Sequence, residues 1–387
     1  MPLNTPPSLP VTLVPQPRLS RRGLLGAALL APLATGLGGL SSALAAAPRA
    51  RAVAAVIRLD SNENPYGPSP AARQAILACI PDAPRYADRS LVELIASIAA
   101  RHNVEVRQVT VGTGSGELLK IAGLLAAEGG TDGQLIAAHP TYEELPDFAA
   151  KMGIQTRWVA PDTEHRHDLP AMHGAIGDQT RLVYICNPNN PTGAALGRIA
   201  LERFIRAVPT SALVVVDEAY IDLADDPEVR SVSDLVHDCP NLVVLRTFSK
   251  IHGLAGLRIG YSMAAPSLAA RMTSKQLTFP NVAGLRGAIA SLGDHNFLAE
   301  TREALVADRR RVHAALDQLG RPRSRSQGNF VFFDTGMPLA TFAARMLARN
   351  IKIGRHFNGY DNWARITIGT RPEVDRLLEA LPGALGA

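Results

Sequence analysis

The sequence predicts an α/β fold with a mainly parallel sheet, and three observations support this prediction. Residues 182–186 and 213–216 are uninterrupted apolar runs, which are typical of strands buried on both faces of a parallel sheet. Such runs alternate with helical patterns along the chain. The length of 387 residues, of which 47% are hydrophobic and 19% charged, excludes a disordered chain, a collagen-like repeat and a small disulfide scaffold.

The predicted strands begin at residue 108 and lie at 108–112, 135–138, 182–186, 213–216, 242–245 and 258–263. Helical patterns follow the first two strands, from Gly114 to Leu125 and near residues 143–152. After about residue 284 the pattern changes to long charged helices and to two further strands, at 330–333 and 366–368. This change predicts a second, smaller α+β domain, which residues 50–81 would complete.

Residues 1–47 have the features of an export signal rather than of a folded domain. Arg21 and Arg22 precede a glycine-rich apolar run, and the stretch 43–45 has the small-x-small pattern of a cleavage site. The paired arginines resemble a twin-arginine signal, which predicts a periplasmic protein, or a cytoplasmic one if the signal is not used. A buried Ala/Leu-rich helix and an uncleaved anchor are the alternatives.

Charge and cysteine content argue against several other classes of protein. The net charge is +5, and three of the positive charges lie in residues 1–47, so nucleic acid is not an expected partner. The cysteines show no CxxC pair, which argues against a disulfide framework.

No metal site is expected, because His165, His167 and His173 fall in a polar connection that is interpreted as a solvated loop. The run 309–311 is interpreted as a charged helix face.

Lys250 is the first candidate for a chemical role. It follows a buried strand, and Ser249 and Arg258 lie close to it in the sequence. A lysine at the carboxyl edge of a strand can form a Schiff base with an aldehyde cofactor if its pKa is lowered. A serine and an arginine beside it suit a phosphate dianion. An ordinary solvated lysine is the alternative interpretation.

Other strand ends carry polar or aromatic residues that suit the same chemistry. Asp217 ends one strand and can hold a pyridine nitrogen protonated, or it can cap a helix. Asn190 lies in a turn-rich segment and can donate to a phenolate oxygen, and Tyr142 presents an aromatic face. Residues 112–117 join a strand to a helix start, where backbone N–H groups can bind a phosphate, although the spacing is not G-x-G-x-x-G.

Two arginines near the C-terminus, Arg355 and Arg365, are candidates for binding an acidic substrate group. A guanidinium binds a carboxylate or a phosphate with two parallel hydrogen bonds. A surface ion pair is the alternative for either residue.

Taken in order, these segments resemble the fold-type-I pyridoxal-phosphate aminotransferases, and most closely the histidinol-phosphate aminotransferase family. The matching stretches span nearly all of 58–387 and are residues 61–68, 85–88, 112–117, 187–193, 217–220, 249–261 and 365–370. The resemblance implies a large cofactor-binding domain at 82–284 and a small C-terminal domain at 285–387. Residues 48–81 would form an N-terminal arm and part of the small domain.

The resemblance also implies pyridoxal 5′-phosphate as the cofactor and a role for each matching residue. Lys250 would hold the cofactor and then shuttle a proton, and Asp217 would pair with the pyridinium. The other implied cofactor contacts are Asn190, Tyr220, Tyr142, Ser115, Gly116, Ser249 and Arg258, with Tyr66 reaching the phosphate from the second subunit of a homodimer. The implied substrate contacts are Arg365, Arg355 and Asn329.

The implied reaction is a ping-pong transfer of an amino group to a 2-oxo acid such as 2-oxoglutarate. The donor would be histidinol phosphate, an aromatic amino acid or another amino acid, and export favours free amino acids. Two alternatives stay open from the sequence. One is a related decarboxylase or lyase similar to threonine-phosphate decarboxylase, and the other is a non-catalytic module that binds the same cofactor.

Overall fold

Strands and helices alternate through residues 55–130 and 132–386, which the computed structural model describes. The strands are β1 (Ile57–Leu59), β2 (Val109–Gly112), β3 (Gln134–Ala138), β4 (Gln155–Val159), β5 (Thr180–Cys186), β6 (Leu213–Asp217), β7 (Leu242–Thr247), β8 (Gly260–Ala264), β9 (Phe330–Asp334), β10 (Ile351–Ile353) and β11 (Trp363–Thr367). The helices are α1 (Pro70–Ala78), α2 (Asp88–His102), α3 (Ser115–Ala127), α4 (Glu144–Lys151), α5 (Leu169–Gly174), α6 (Arg198–Ala207), α7 (Pro266–Ser274), α8 (Val282–Gly293), α9 (His295–Gln318), α10 (Leu339–Leu347) and α11 (Arg371–Leu385).

A seven-stranded sheet with the order β2-β8-β7-β6-β5-β3-β4 forms the larger layer. The pairs among β3, β4, β5, β6 and β7 are parallel, and β8 runs antiparallel to both of its neighbours. The prediction of an α/β fold with a mainly parallel sheet is therefore confirmed. The sequence did not predict β4, because this edge strand exposes most of its side chains, including that of Trp158.

Helices cover both faces of this sheet, which explains the uninterrupted apolar runs. Val214 and Val216 of β6 pack on one face in a cluster with residues of α2, α6 and α8. Val215, between them, packs on the opposite face with residues of α3, α4 and α7. Since successive side chains of a strand point to opposite faces, both sets must be apolar when both faces are buried.

A separate hydrophobic cluster forms around two small sheets of the smaller layer. Strand β9 pairs antiparallel with β11, and β1 pairs parallel with β10. Phe330 and Phe333 of β9 pack in this cluster against residues of α9, α10 and α11. Helix α1, in contrast, packs against α8 of the larger layer. The domain boundaries at 81/82 and 284/285 stay predictions.

The predicted export signal lies outside the described residues. Within residues 55–130 and 132–386, no helix combines the length and the apolar character that crossing a membrane requires.

Glu117 joins two loops at the start of α3. Its carboxylate accepts five hydrogen bonds of 2.6–3.0 Å, from backbone and hydroxyl groups of Thr113 and Thr278 and from the backbone N–H of Leu277. Burial by itself raises the pKa of Glu117, but these hydrogen bonds together hold it below its usual value. The carboxylate therefore fixes the turn from which α3 begins.

We expect Glu117→Gln to lower the free energy of unfolding by about 2–3 kcal/mol at pH 7, because one amide oxygen cannot replace a charged carboxylate with this many donors. A lowered pKa stabilises the fold fully above the unfolded-state pKa, so the difference between wild type and variant should begin to shrink as the pH falls below 4.5 and should disappear as it falls through the lower folded-state pKa. Denaturant titrations at pH 7 and pH 4 measure both effects.

Glu128→Gln is the matched control, because Glu128 caps the other end of α3 and forms exposed ion pairs with Arg271 and Lys275. Its unfolding free energy should change by no more than about 0.5 kcal/mol. Equal losses in the two variants would contradict the role assigned to Glu117.

Candidate active site

A polar cavity of about 270 Å³ lies between the larger sheet and the smaller layer. Asp217 ends β6, Asn190 and Lys250 follow β5 and β7, and Arg365 comes from β11 of the smaller layer. The carboxyl ends of parallel strands meet at one edge of a sheet, which is the usual place for a ligand in this kind of fold. Eleven of the residues singled out in the sequence line this cavity: Ser115, Gly116, Tyr142, Asn190, Asp217, Tyr220, Ser249, Lys250, Arg258, Arg355 and Arg365.

Lys250 lies in the cavity in an environment that disfavours its positive charge. Its Nζ donates to the backbone oxygen of Asn62 at 3.0 Å and lies 5.4 Å from the ring centroid of Tyr220. Burial and, after it, the positive charge of Arg365 together lower the pKa of Lys250 to about 8, although Asp217 acts in the opposite direction. A large fraction of neutral amine is therefore available near pH 8, as a nucleophile or a base requires.

Asp217 is a buried carboxylate, with only 2% of the residue exposed. It accepts hydrogen bonds from the Ala219 N–H at 3.1 Å and the Tyr184 hydroxyl at 3.4 Å. Burial nevertheless raises the pKa of Asp217 to about 6, so the surrounding groups do not fully stabilise its charge. A protonated ring nitrogen placed against this carboxylate would supply the missing positive charge, which fits a pyridine cofactor.

The start of α3 forms one end of the cavity and suits a phosphate. The N–H groups of Ser115 and Gly116 belong to the first turn of the helix, where no carbonyl of the preceding turn can accept them. Arg258 extends toward the same end, and its Nη1 lies 3.5 Å from the Ser249 hydroxyl. Gly114 allows this approach, because a Cβ at its position would lie 2.3 Å from Arg258 Nη2.

Arg365 presents a buried guanidinium with unused donors. Its Nη1 donates to Asn190 Oδ1 at 2.7 Å and its Nη2 to the Asp60 backbone oxygen at 2.9 Å, while Nε has no partner among the described residues. A guanidinium carries five N–H donors, so further donors remain for an anion. Because the Asn190 oxygen accepts from Arg365, its amide nitrogen is left to donate to a second group.

Arg355 differs from Arg365 in exposure and in partner. More than half of its side chain is exposed, and its Nη2 donates to Glu143 Oε2 at 2.5 Å. Both guanidinium groups lie over one aromatic ring, at 4.5 Å for Arg355 and 5.2 Å for Arg365 from the centroid of Phe357. The two arginines thus form a pair beside the cavity, in which Arg355 occupies the outer position.

Two tyrosines line the cavity with their hydroxyl groups in different environments. The Tyr220 oxygen accepts from Asn62 Nδ2 at 3.2 Å, and burial raises its pKa. The Tyr142 hydroxyl donates to Glu144 Oε2 at 3.3 Å, and burial likewise raises the pKa of Tyr142. Both hydroxyls therefore stay protonated at neutral pH and can act as hydrogen-bond donors.

Two of the residues singled out in the sequence, Tyr66 and Asn329, do not line the cavity of their own chain. Tyr66 packs against the hydrophobic cluster of the smaller layer. Asn329 lies behind the cavity, where its Nδ2 donates to the Glu63 backbone oxygen at 3.0 Å and its Oδ1 has no partner among the described residues. Their assigned roles stay predictions.

Asn62 is an important residue to which the sequence analysis assigned no role. Besides contacting Lys250 and Tyr220, its backbone N–H donates to Thr367 Oγ1 at 2.8 Å. It adopts a φ of 53°, a conformation that asparagine tolerates better than most residues. The presence of an asparagine was the available signal in the sequence for this conformation. Asn62 therefore connects Lys250 to the smaller layer.

His167 is buried, which makes its interpretation as part of a solvated loop wrong. Its Nε2 lies 2.9 Å from the backbone oxygen of Cys186, and Cys186 lines the cavity. Burial lowers the pKa of His167 to about 4. The residues that the structure describes contain no His, Cys, Asp and Glu cluster arranged to hold a metal ion.

Comparisons with known proteins agree with this geometry. The model of the family "Aminotransferase class I and II" matches residues 54–381. Histidinol-phosphate aminotransferase 2 of Pseudomonas fluorescens is 38% identical over 334 residues, which are 86% of this chain and 90% of that protein. The aromatic amino acid aminotransferase of Rhodococcus jostii is 39% identical over 326 residues, or 83% and 88% of the two chains.

Solved structures share the fold of this chain. The histidinol-phosphate aminotransferase of Sinorhizobium meliloti, determined in complex with pyridoxal-5′-phosphate, superimposes with a TM-score of 0.80 at 27% identity and covers 86% of this chain and 91% of that chain. The aromatic aminotransferase of Pyrococcus horikoshii has the same fold, with a TM-score of 0.76 at 21% identity over 86% and 96% of the chains. The chain belongs to the class I and II aminotransferase family and is a pyridoxal 5′-phosphate-dependent enzyme.

Proposed function

We propose that the protein transfers an amino group to a 2-oxo acid, from an amino donor whose anionic group binds Arg365. The observation that carries this proposal is the position of Lys250, with its lowered pKa, between a buried acid and a buried arginine that retains free donors. An aminotransferase needs a neutral amine, an acid that faces the ring nitrogen and a cation for the substrate, and this cavity offers all three groups.

Each residue of the cavity then has a task that its contacts support. With the cofactor bound, Asp217 would pair with its ring nitrogen, Asn190 and Tyr220 would donate to its ring hydroxyl oxygen, and Tyr142 would stack on its ring. Ser115, Gly116, Ser249 and Arg258 would bind its phosphate. The bound cofactor supplies an electron sink for charge that develops at the substrate Cα. Lys250 takes up the proton released from Cα and returns it in the reverse half-reaction.

The donors that we propose are histidinol phosphate and free amino acids, aromatic ones in particular. The relatives named above include enzymes named for histidinol phosphate and for aromatic amino acids. Arg365 suits either class, because a guanidinium binds a phosphate or an α-carboxylate with the same paired hydrogen bonds. The decarboxylase and non-catalytic alternatives are not favoured, because these relatives are named as aminotransferases.

We expect Lys250→Ala to remove the visible absorbance of the bound cofactor and to lower turnover by at least about 10²–10⁴-fold, because the amine and the base are both lost. In wild-type protein freed of cofactor, the rate of capture of added cofactor should rise as the pH passes 8, where Lys250 becomes neutral. Absorption spectra and stopped-flow traces measure these effects. Lys275→Ala, which changes an exposed lysine paired with Glu128, is the control and should resemble wild type.

We propose further that the protein is a homodimer that pairs through the face carrying Tyr86 and Phe279. These side chains are 93% and 85% exposed, and they border a groove of about 880 Å³ that Leu91 and Leu285 also line. Large exposed aromatic residues around an apolar groove are typical of a protein interface. Leu277, which is 65% exposed, lies two residues before Phe279 and next to the Glu117 loop, so this face adjoins the phosphate end of the cavity.

Subunit complementation tests whether Tyr66 acts across this interface. Tyr66→Ala and Lys250→Ala homodimers should each have low activity, whereas a mixed dimer should recover roughly one intact site, because each chain supplies what the other lacks. Phe279→Glu should shift the protein from dimer to monomer in light scattering, and Leu347→Glu on an exposed part of α10 should not. The dimer proposal fails if Phe279→Glu remains dimeric and the mixture of variants remains inactive.

We also propose export by the twin-arginine route, which the pair Arg21-Arg22 and the apolar run after it support. Replacing both arginines by lysine should retain the protein in the cytoplasm, because the pair is the recognised element. Cell fractionation followed by immunoblotting measures the distribution, and Arg18→Lys is the control. An unchanged distribution of the double variant would contradict this route.

A further inference from the structure

Glu143 and Arg355 form an ion pair at the outer side of the cavity. Glu143 follows Tyr142, which lines the cavity, and Arg355 lines the cavity from the loop after β10. The two residues are 212 positions apart and join the larger layer to the smaller one through the contact at 2.5 Å. The pair therefore lies at the mouth of the cavity.

Arg355 and Arg365 differ in how far their charge is neutralised. Arg365 donates to the neutral oxygens of Asn190 and Asp60, the latter a backbone carbonyl. Arg355 donates to the carboxylate of Glu143. An incoming anion therefore meets Arg365, which has no bound carboxylate, and Arg355, which already has one.

We propose that Glu143 is a specificity-determining residue that competes with the second anionic group of a substrate for Arg355. A substrate with one anionic group binds Arg365 and leaves the Glu143–Arg355 pair intact. A dicarboxylic substrate must displace Glu143 before its second carboxylate reaches Arg355. Glu143 thereby weakens the binding of dianionic substrates relative to monoanionic, aromatic ones. This inference rests on the proposed binding of the substrate anion by Arg365.

The contacts around the pair make this competition possible. The side chains of Arg355 and Glu143 are 55% and 29% exposed, so water screens their attraction and a substrate anion can replace Glu143. The Arg355 guanidinium lies over the ring of Phe357, and this contact keeps Arg355 beside the cavity when Glu143 leaves. Glu144, the next residue along the chain, pairs with Lys120 at 2.7 Å and not with Arg355.

Two substrate-like ligands test the inference on the full-length holoenzyme. Glutarate and 3-phenylpropionate share a propionate unit, and they differ in carrying a second carboxylate or a phenyl ring. Glu143→Gln should tighten the binding of glutarate by about two- to fivefold, the range expected for an exposed ion pair. It should leave 3-phenylpropionate within about twofold, as calorimetric titration measures. The KM for glutamate should fall relative to that for phenylalanine in the same direction.

A double-variant cycle shows whether Glu143 acts through Arg355. In the Arg355→Gln background, the additional change Glu143→Gln should no longer affect glutarate binding, because the contested cation is absent. Glu128→Gln is the charge-matched control, since it removes one negative charge at the far end of α3, roughly 20 Å from the cavity. This control should leave the binding of both ligands unchanged.

Two results would overturn the inference. One is an unchanged ratio of the two affinities in Glu143→Gln, whether neither affinity changes or both change equally, and the other is a full effect without Arg355. Arg365→Gln separates these results from a failure of the proposed function. If Arg365→Gln binds both ligands as wild type does, the proposed role of Arg365 is wrong, whatever Glu143 does.

Discussion

The active site depends on one electrostatic constraint, which is that the fold buries charged groups without giving them complete partners. Lys250 loses hydration beside the positive charge of Arg365, and burial leaves Asp217 with a raised pKa. Isolated buried charges are costly, so each of these groups gains most from a ligand of opposite charge. In our proposal, the ring nitrogen of the cofactor supplies the positive charge that Asp217 lacks, and a substrate anion supplies the negative charge that Arg365 lacks.

The architecture supplies this constraint by joining residues that are far apart in the sequence. Parallel strands β5, β6 and β7 deliver Asn190, Asp217 and Lys250 to one edge of the sheet. The smaller layer then brings Arg365 within hydrogen-bond distance of Asn190, across 175 residues. Glu117, through its carboxylate, fixes the start of α3 in the same region. The cavity is thus formed where the larger and the smaller layer meet, and neither layer contains it alone.

Much of this arrangement could be predicted from the sequence. Strands buried on both faces leave apolar runs, and functional side chains follow such runs directly, so Lys250 and Asp217 could be identified from their positions. An apolar run does not indicate strand direction, however, and the antiparallel course of β8 was therefore not predicted. The exposed edge strand β4 left no apolar signal.

Contacts between distant polar residues could not be predicted from local patterns. Arg309 belongs to a run that was interpreted as a charged helix face, but only 2% of the residue is exposed and it pairs with Asp225. Asn62 likewise acquires its role only when β1 and β11 bring it beside Lys250. The pairing of Glu143 with Arg355 depends in the same way on the contact between the two layers.

The most direct test of the account follows the visible absorbance of the cofactor in the full-length holoenzyme as single amino donors are added. We predict that glutamate, together with an aromatic amino acid or histidinol phosphate, bleaches this absorbance and releases the corresponding carbonyl product without carbon dioxide. A 2-oxo acid added afterwards should restore the absorbance. Absorbance that persists with every donor, or release of carbon dioxide in step with bleaching, would contradict the account.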